Sequence, residues 1–412
     1  MSHVVVVGGG VVGICCALEL LGDGHQVTVL EPGAVGEGAS WASCGSIAVS
    51  EIIPLSKPGT LMRAPKWLLD PMGPLTLRGS SLVGVLPWFM RFAGNSRMSR
   101  IKAISNDISV LTLRALADIE TLLAQHGLSD LLRQTPVIEL YDSEQDLAHE
   151  RHFHEIRRRL GFRIDEISGR EAKEMEPSIA IDFACAAVFR DWRSVVDTKR
   201  FVVDLHKAFA ARGGVVKPVG ASAFLRDADR VAGVSTTSGE IIRGDQYVLA
   251  AGAWSKKLAE DIGIRIQLEG VIGYQTNLTD AGVAVEHGLI YAKGGFGITP
   301  YESGLAVAGS IEFAKLNAKP DWRRADILVE KARRVLPGLQ TRSAERRYGR
   351  RPLTPDTKPI IGRSPQVGNM IFATGHGQLG LTLCATTGRL VKEIAGGRVP
   401  NIDMAAYRPD RF

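Results

Sequence analysis

The chain has 412 residues, too many for one compact core and a fit for roughly two domains. Hydrophobic content of 45% and charged content of 23% are ordinary for a soluble globular protein. The net charge of +6 is mild, with no dense basic run and no interleaving of basic and aromatic residues, so nucleic acid is excluded as a partner while weak attraction to an anionic membrane surface is allowed.

Residues 3–7, His3 followed by four valines, read as a buried parallel strand. Met1-Ser2-His3 leads straight into them without a charged leader, so no secretory signal is expected. Residues 11–21 follow as a helix that Gly22 and Gly24 stop, and 26–30 as a second strand, a βαβ opening. The Pro- and Gly-rich stretch 51–80 reads as loops. Residues 82–92 are the longest apolar run; Pro87 lies inside it, and it falls short of the ~20 residues a membrane span needs, so it can lie on a bilayer but not cross one. Long amphipathic helices are predicted over 103–126 and 145–160. Another runs from its N-cap Asp197 to about 211, where Gly213-Gly214 end it. Strands are predicted at 214–219, 222–226, 231–236, 240–244 and 246–250. A second strand-rich region holds 267–278, 288–292, 297–301 and 305–310. The chain closes with a short strand at 370–373 and a helix at 380–395.

The fold class is therefore α/β. A Rossmann-like dinucleotide-binding domain is assembled from discontinuous segments, 1–55, 165–262 and 345–412. A substrate domain of mixed or antiparallel sheet and helices is formed by 56–164 and 263–344. The five cysteines, Cys15, Cys16, Cys44, Cys185 and Cys384, are scattered and form no CxxC pair, which points away from disulfides and metal and toward buried thiols in the cytoplasm. His149, His152 and His154 lie in a charged stretch that reads as a solvated helix face, and metal binding is not expected there.

Gly8-Gly9-Gly10-Val11-Val12-Gly13 is a GxGxxG between strand and helix. Gly8 permits the tight turn, Gly10 the approach of a pyrophosphate, and Gly13 close helix–strand packing; the phosphates then face the free N–H groups of Val11 and Val12. Glu31, at the end of the second strand and followed by Pro32, can accept from ribose hydroxyls, and no basic residue follows it to hold a 2′-phosphate. The motif alone leaves NAD and FAD open. Two further segments favour FAD. One is the small-residue turn after strand 246–250, containing Gly252 and Trp254. The other is the loop Gly375-His376-Gly377-Gln378-Leu379-Gly380-Leu381-Thr382, whose N–H groups can face the pyrimidine edge of a flavin and stabilise negative charge there, with His376 adding to this or fixing the loop.

These motifs resemble the D-amino-acid oxidase superfamily of flavoproteins, and most closely the small subunit of bacterial D-amino-acid dehydrogenase. The resemblance covers essentially the whole chain. Its further landmarks are Gly38-Ala39-Ser40-Trp41-Ala42-Ser43-Cys44-Gly45, the segment from Leu86 to Phe92, Gly309-Ser310-Ile311-Glu312-Phe313, and Gly349-Arg350-Arg351-Pro352 leading to Thr354-Pro355-Asp356. It implies noncovalent FAD, with Ala39, Ser40, Ser43, Gly45 and Gly349 close to the flavin. It implies hydride transfer from the α-carbon of a D-amino or cyclic D-imino acid such as D-proline or hydroxy-D-proline, with electrons passed to quinone or another carrier. It also implies a cytoplasmic enzyme that can sit peripherally at the inner face of the plasma membrane. Arg351 matches the arginine that pairs with the substrate carboxylate, a task suited to a planar guanidinium fork. Arg350 is expected at the surface, and Tyr274 and Tyr291 are candidates for assisting the carboxylate. The chain departs from the pattern at Ile272, Gly297 and Tyr348, where relatives carry Lys, Tyr and Trp. An oxygen-using oxidase of glycine or sarcosine type, and an FAD-binding subunit that needs a partner, remain open.

Overall fold

A computed structural model describes residues 1–79, 82–179 and 183–412. Strands that are apolar on both faces must be covered on both, and His3–Val7 accordingly lies inside a six-stranded sheet. The order is Val215–Lys217, Gln26–Leu30, His3–Val7, Gln246–Leu249, Met370–Thr374, Ile360–Arg363, parallel except for the last strand. The helix Val11–Gly22 packs against the helices Thr198–Ala211 and Cys384–Ala395. Gly388 permits the second contact, because a Cβ there would lie 2.8 Å from the Cys15 carbonyl oxygen. An antiparallel sheet of Ala221–Asp227, Arg230–Thr236 and Ile241–Ile242 flanks this layer.

The other large sheet has nine strands. Its path is Ala344–Leu353, Glu269–Leu278, Gly304–Phe313, Phe296–Tyr301, Gly288–Tyr291, Val137–Tyr141, Cys185–Phe189 and Ile164–Ser168, with Leu75–Leu77 paired to the end of Gly304–Phe313. The helix Arg323–Val335 covers one face through Leu328, Ala332 and Val335. Segments 165–262 and 345–412 are therefore each shared between sheets: Ile164–Ser168, Cys185–Phe189 and Ala344–Leu353 pair in the nine-stranded sheet, and the rest of their long strands in the other two.

Several expectations are corrected. The stretch 51–80 is not all loop: Pro58–Leu69 is a helix and Leu75–Leu77 a strand, while Ser80 lies outside the described residues. Pro58 occupies the first helical turn, where proline's fixed φ and missing N–H favour a helix. The last helix begins at Cys384, because Gly380–Leu383 forms turns that leave its loop open. His154 is not on a solvated face; it is buried beside Tyr141 and Glu166. Among the described residues, no helix is long and apolar enough to cross a membrane.

Candidate active site

The dinucleotide motif is held by steric necessity. Gly8 has φ +106, and a Cβ there would lie 2.5 Å from the Ala250 carbonyl oxygen; a Cβ on Gly13 would lie 1.9 Å from the Gly8 carbonyl oxygen. Gly10 caps the helix with no side chain bonded to its free N–H groups, and nothing lies within 4 Å of where its Cβ would stand. A 12-residue helix thus presents the bare N–H groups of Val11 and Val12 to open space, an anion site. Glu31 is positioned beside it: its carboxylate accepts from Gly9 N at 2.7 Å and from Gly33 N at 3.1 Å, with exposed Pro32 between. These residues fit the ADP half of FAD. Replacing Glu31 with alanine removes the acceptor of both N–H groups, and weaker FAD binding by about 10- to 100-fold is expected, read by titrating the apoprotein with FAD.

His206 was not singled out from the sequence. Its Nε2 donates to the Gly9 carbonyl oxygen at 2.7 Å, and burial lowers its pKa and keeps it neutral. The available signal was the buried stripe of its helix, Val202, Leu205, His206 and Phe209.

The loop containing Ala39, Ser40, Ser43 and Gly45 lies against the nine-stranded sheet. A Cβ on Gly349 would stand 2.7 Å from Ala39 Cα, one on Gly297 2.8 Å from Cys44 Sγ, and one on Gly45 2.6 Å from the Tyr301 hydroxyl. Ser43 O accepts from Gln275 Nε2 at 2.6 Å and from the Tyr301 hydroxyl at 3.1 Å, and Cys44 Sγ is 3.2 Å from Thr299 Oγ1. Ser40 is half-buried, and the Trp41 ring lies between Lys199 and Arg347.

The second loop comes down from the helix side. Thr382 Oγ1 accepts from Ala48 N at 2.9 Å and so ties the two loops together. Gly377 and Gly380 are half-buried, Gln378 is exposed, and Leu381 is buried. His376, next to Gly375, is buried, bonds Thr387 Oγ1 at 2.8 Å and bridges Leu353 through its backbone. Desolvation lowers its pKa to about 3, so it is neutral and fixes the loop without adding positive charge. Because the folded value lies below the unfolded one, its stabilisation is present above pH 6.5 and lost as pH falls toward 3. Between pH 7 and pH 5, His376→Asn is expected to lose about 2 kcal/mol less stability than the parent in urea unfolding. Gly252 is half-buried and Trp254 half-exposed on the turn after Gln246–Leu249, where Thr374 Oγ1 donates to Gly252 O.

Arg351 pairs in register with Val271, and its guanidinium covers Gly273, where a Cβ would lie 2.3 Å from Cζ. Nη1 donates to Ser310 O at 3.0 Å. That carbonyl is aimed by a bulge: the register between Glu269–Leu278 and Gly304–Phe313 shifts between Ile272 and Tyr274, and Ser310 has φ 63. Burial lowers the Arg351 pKa, and among the described residues no carboxylate lies within ion-pair distance of it. Arg350 is corrected from surface to interior: it is buried and bonds the carbonyls of Lys315 and Ala318.

Both tyrosine expectations are also corrected. Side chains alternate along a strand, and Arg351 shares its face with Val271, Gly273 and Gln275. Tyr274 points to the opposite face, where its hydroxyl donates to Glu312 and accepts from Asp321 N at 2.8 Å. Tyr291 opposes Phe296, packs on the same far side and bonds Asp142. Tyr301 does lie on the Arg351 face, in step with Gly297 and Thr299. Tyr274→Phe is expected to change kcat/KM less than about threefold and to lower stability by about 1–3 kcal/mol, seen as a lower Tm, because buried Glu312 keeps Arg78 but loses the hydroxyl donor, and Asp321 N loses its acceptor.

Residues 3–394 match the family model described as DAO, FAD dependent oxidoreductase. The chain belongs to that family. It is an FAD-dependent oxidoreductase. It is 31% identical to a D-amino acid dehydrogenase of Paramagnetospirillum magneticum, over 99% of this chain and 98% of the relative. It is 29% identical to a D-amino-acid oxidase of Bradyrhizobium diazoefficiens, over 100% and 99%. In fold the oxidoreductase is similar to glycine oxidase from Geobacillus kaustophilus, with TM-score 0.78 and 21% identity over the full length of both chains.

Proposed function

We propose that this oxidoreductase oxidises a D-amino acid, or a cyclic D-imino acid such as D-proline or a hydroxy-D-proline, and passes the electrons to quinone or another carrier. The observation that carries the reading is Arg351, a desolvated guanidinium that bonds a backbone carbonyl and has no carboxylate partner among the described residues. A buried cation without a counter-ion is costly, and a substrate carboxylate completes it. The names of the relatives that match along the whole chain support an amino-acid substrate.

Bound FAD supplies the hydride acceptor and is held noncovalently. Gly10, Val11 and Val12 would hold the pyrophosphate and Glu31 the ribose, and the loops 39–45 and 375–382, with Gly252, Trp254 and Gly349, would hold the flavin. Arg351 binds the carboxylate through its fork, and Ser310 O fixes the guanidinium, which orients the α-carbon. The amine enters neutral, and no side-chain base is needed to draw the α-hydrogen away as hydride. The imine product hydrolyses to a keto acid or persists when cyclic.

The test is anaerobic addition of D- and L-amino acids, D-proline, hydroxy-D-prolines, glycine and sarcosine to the holoenzyme. Bleaching of the visible flavin band by D-amino or D-imino acids supports the reading. Bleaching by glycine or sarcosine alone, or by none of them, overturns it. Readmitting air then separates carrier-linked turnover from an oxygen-using oxidase, the reading that the Bradyrhizobium relative favours.

A further inference from the structure

The sheet face that carries Arg351 and Gln275 extends well past them. From Gln275 the register runs through Ala308, Gly297 and Ile290 to Glu139 in the strand Val137–Tyr141. All five therefore face one side of the nine-stranded sheet. The packing agrees. Val137 and Tyr141, two residues either side of Glu139, belong to the apolar cluster that also holds Val11 and Ile47, while Ile138 and Leu140 join Tyr274 on the far side.

Along Val137–Tyr141 every residue is buried except Glu139, which is half-buried. Ile290, Arg351 and Cys44, which stands over Gly297, are half-buried as well. Burial is the largest effect on the Glu139 carboxyl and raises its pKa, against the opposing Arg157 charge and Tyr141 hydroxyl, so the space it meets is enclosed. These residues outline a cavity floored by Ala308 and Gly297, with a cation at one end and a carboxylate at the other.

The neighbouring charges are already matched. Glu150 pairs with Lys57, and Glu51 faces Arg157 at 3.6 Å, while Arg157 also donates to Ser50 O. Glu139 has no cation within ion-pair distance among the described residues. A desolvated carboxylate without a cation is costly, as is Arg351 without an anion. One ligand with a carboxylate at one end and a cation at the other completes both.

The spacing selects its length. From Gly304–Phe313, whose Ser310 fixes the Arg351 guanidinium, to Val137–Tyr141 is three strand spacings, about 14 Å. An α-amino acid with a long, extended side chain spans about 8 Å from its carboxylate to a terminal cation. A hydrogen bond of about 3 Å at each end fills the rest. D-Alanine or D-proline held at Arg351 leaves Glu139 unmet.

We propose that Glu139 receives a cationic side-chain end, so that the preferred substrates are basic D-amino acids ending in an ammonium or guanidinium group. The inference rests on the substrate reading above and narrows it.

The test compares flavin bleaching and kcat/KM of the FAD-loaded enzyme with D-arginine, D-lysine, D-citrulline, D-alanine and D-proline, on a soluble electron acceptor. D-Citrulline has the shape of D-arginine without its charge. D-Arginine is expected to exceed it about 10- to 100-fold in kcat/KM, the worth of a hydrogen bond between charged groups. Glu139→Gln keeps the shape and removes the charge, and should bring the ratio within about threefold, with the loss in KM rather than in kcat. The comparison in the parent needs no variant, so it decides even if Glu139→Gln does not fold. Equal kcat/KM for D-arginine and D-citrulline in the parent overturns the inference, as does a Glu139→Gln variant that keeps the parent's ratio. If D-alanine or D-proline bleaches the flavin and neither basic D-amino acid does, the inference falls and the substrate reading stands. If none of the five does, both fall.

Discussion

Arg351→Leu lowers kcat/KM for the best substrate about 100- to 1000-fold while the purified protein keeps its full FAD content. Truncating one partner of a desolvated, hydrogen-bonded charge pair costs about 2–5 kcal/mol, and each 1.4 kcal/mol is tenfold. The loss divides between a higher KM, from the missing carboxylate partner, and a lower kcat, from an α-carbon no longer held in line. Arg351→Lys keeps the charge but not the fork, and recovers only about tenfold. Stability moves the other way. Without substrate the guanidinium is desolvated and unpaired apart from Ser310 O, so leucine there leaves Tm unchanged or raises it. The rise in Tm that a carboxylate ligand gives the parent disappears in the variant. Parallel steady-state kinetics and thermal melts with and without substrate read both effects. A variant with unchanged kcat/KM would remove Arg351 from the substrate site.

Gly13→Val and Gly8→Ala each yield a protein that purifies without FAD. At Gly13 a Cβ would stand 1.9 Å from the Gly8 carbonyl oxygen, a distance no rotamer relieves because the backbone fixes the positions of both atoms. The helix must move off the strand, and the N–H groups of Val11 and Val12 move with it. At Gly8 the left-handed backbone costs an L-residue about 1–2 kcal/mol, and the clash with Ala250 O adds about 1–3. The expected loss of stability is about 2–5 kcal/mol for each. The visible spectrum and Tm check it, and added FAD does not restore the flavin band. Gly10→Ala is the control. Its Cβ meets nothing within 4 Å of protein, so the fold stands and only the space for the phosphates is reduced.

The dinucleotide end was legible in the sequence because it is local. His3–Val7, Gly8 to Gly13 and Glu31 lie within one βαβ unit, and the turn, the helix start and the acidic residue follow from their spacing. The same holds for the Asp197 cap, whose carboxylate accepts from Lys199 N and Arg200 N. The reactive end was legible as composition but not as geometry. A period of two says that Tyr274 and Gly273 face opposite ways; it does not say which of them shares a face with Arg351, and pairing across the strands Ala344–Leu353, Glu269–Leu278 and Phe296–Tyr301 puts Gly273 and Tyr301 on that face and Tyr274 and Tyr291 on the other. Arg350 and Arg351 are neighbours of one chemistry that alternation sends to opposite faces, and only the contacts of each face tell the one that bonds Lys315 and Ala318 from the one that bonds Ser310 O and is left without a carboxylate among the described residues. His206 reaches Gly9 from 197 residues away, a contact no spacing encodes. The helix Pro58–Leu69 was read as loop because its prolines break the pattern, and it forms because Leu61 finds an apolar cluster gathered from distant strands. By itself the sequence determined a cofactor cradle closed by short-range sterics. The tertiary structure decided which side chains face it, because facing depends on strand partners drawn from separate parts of the chain.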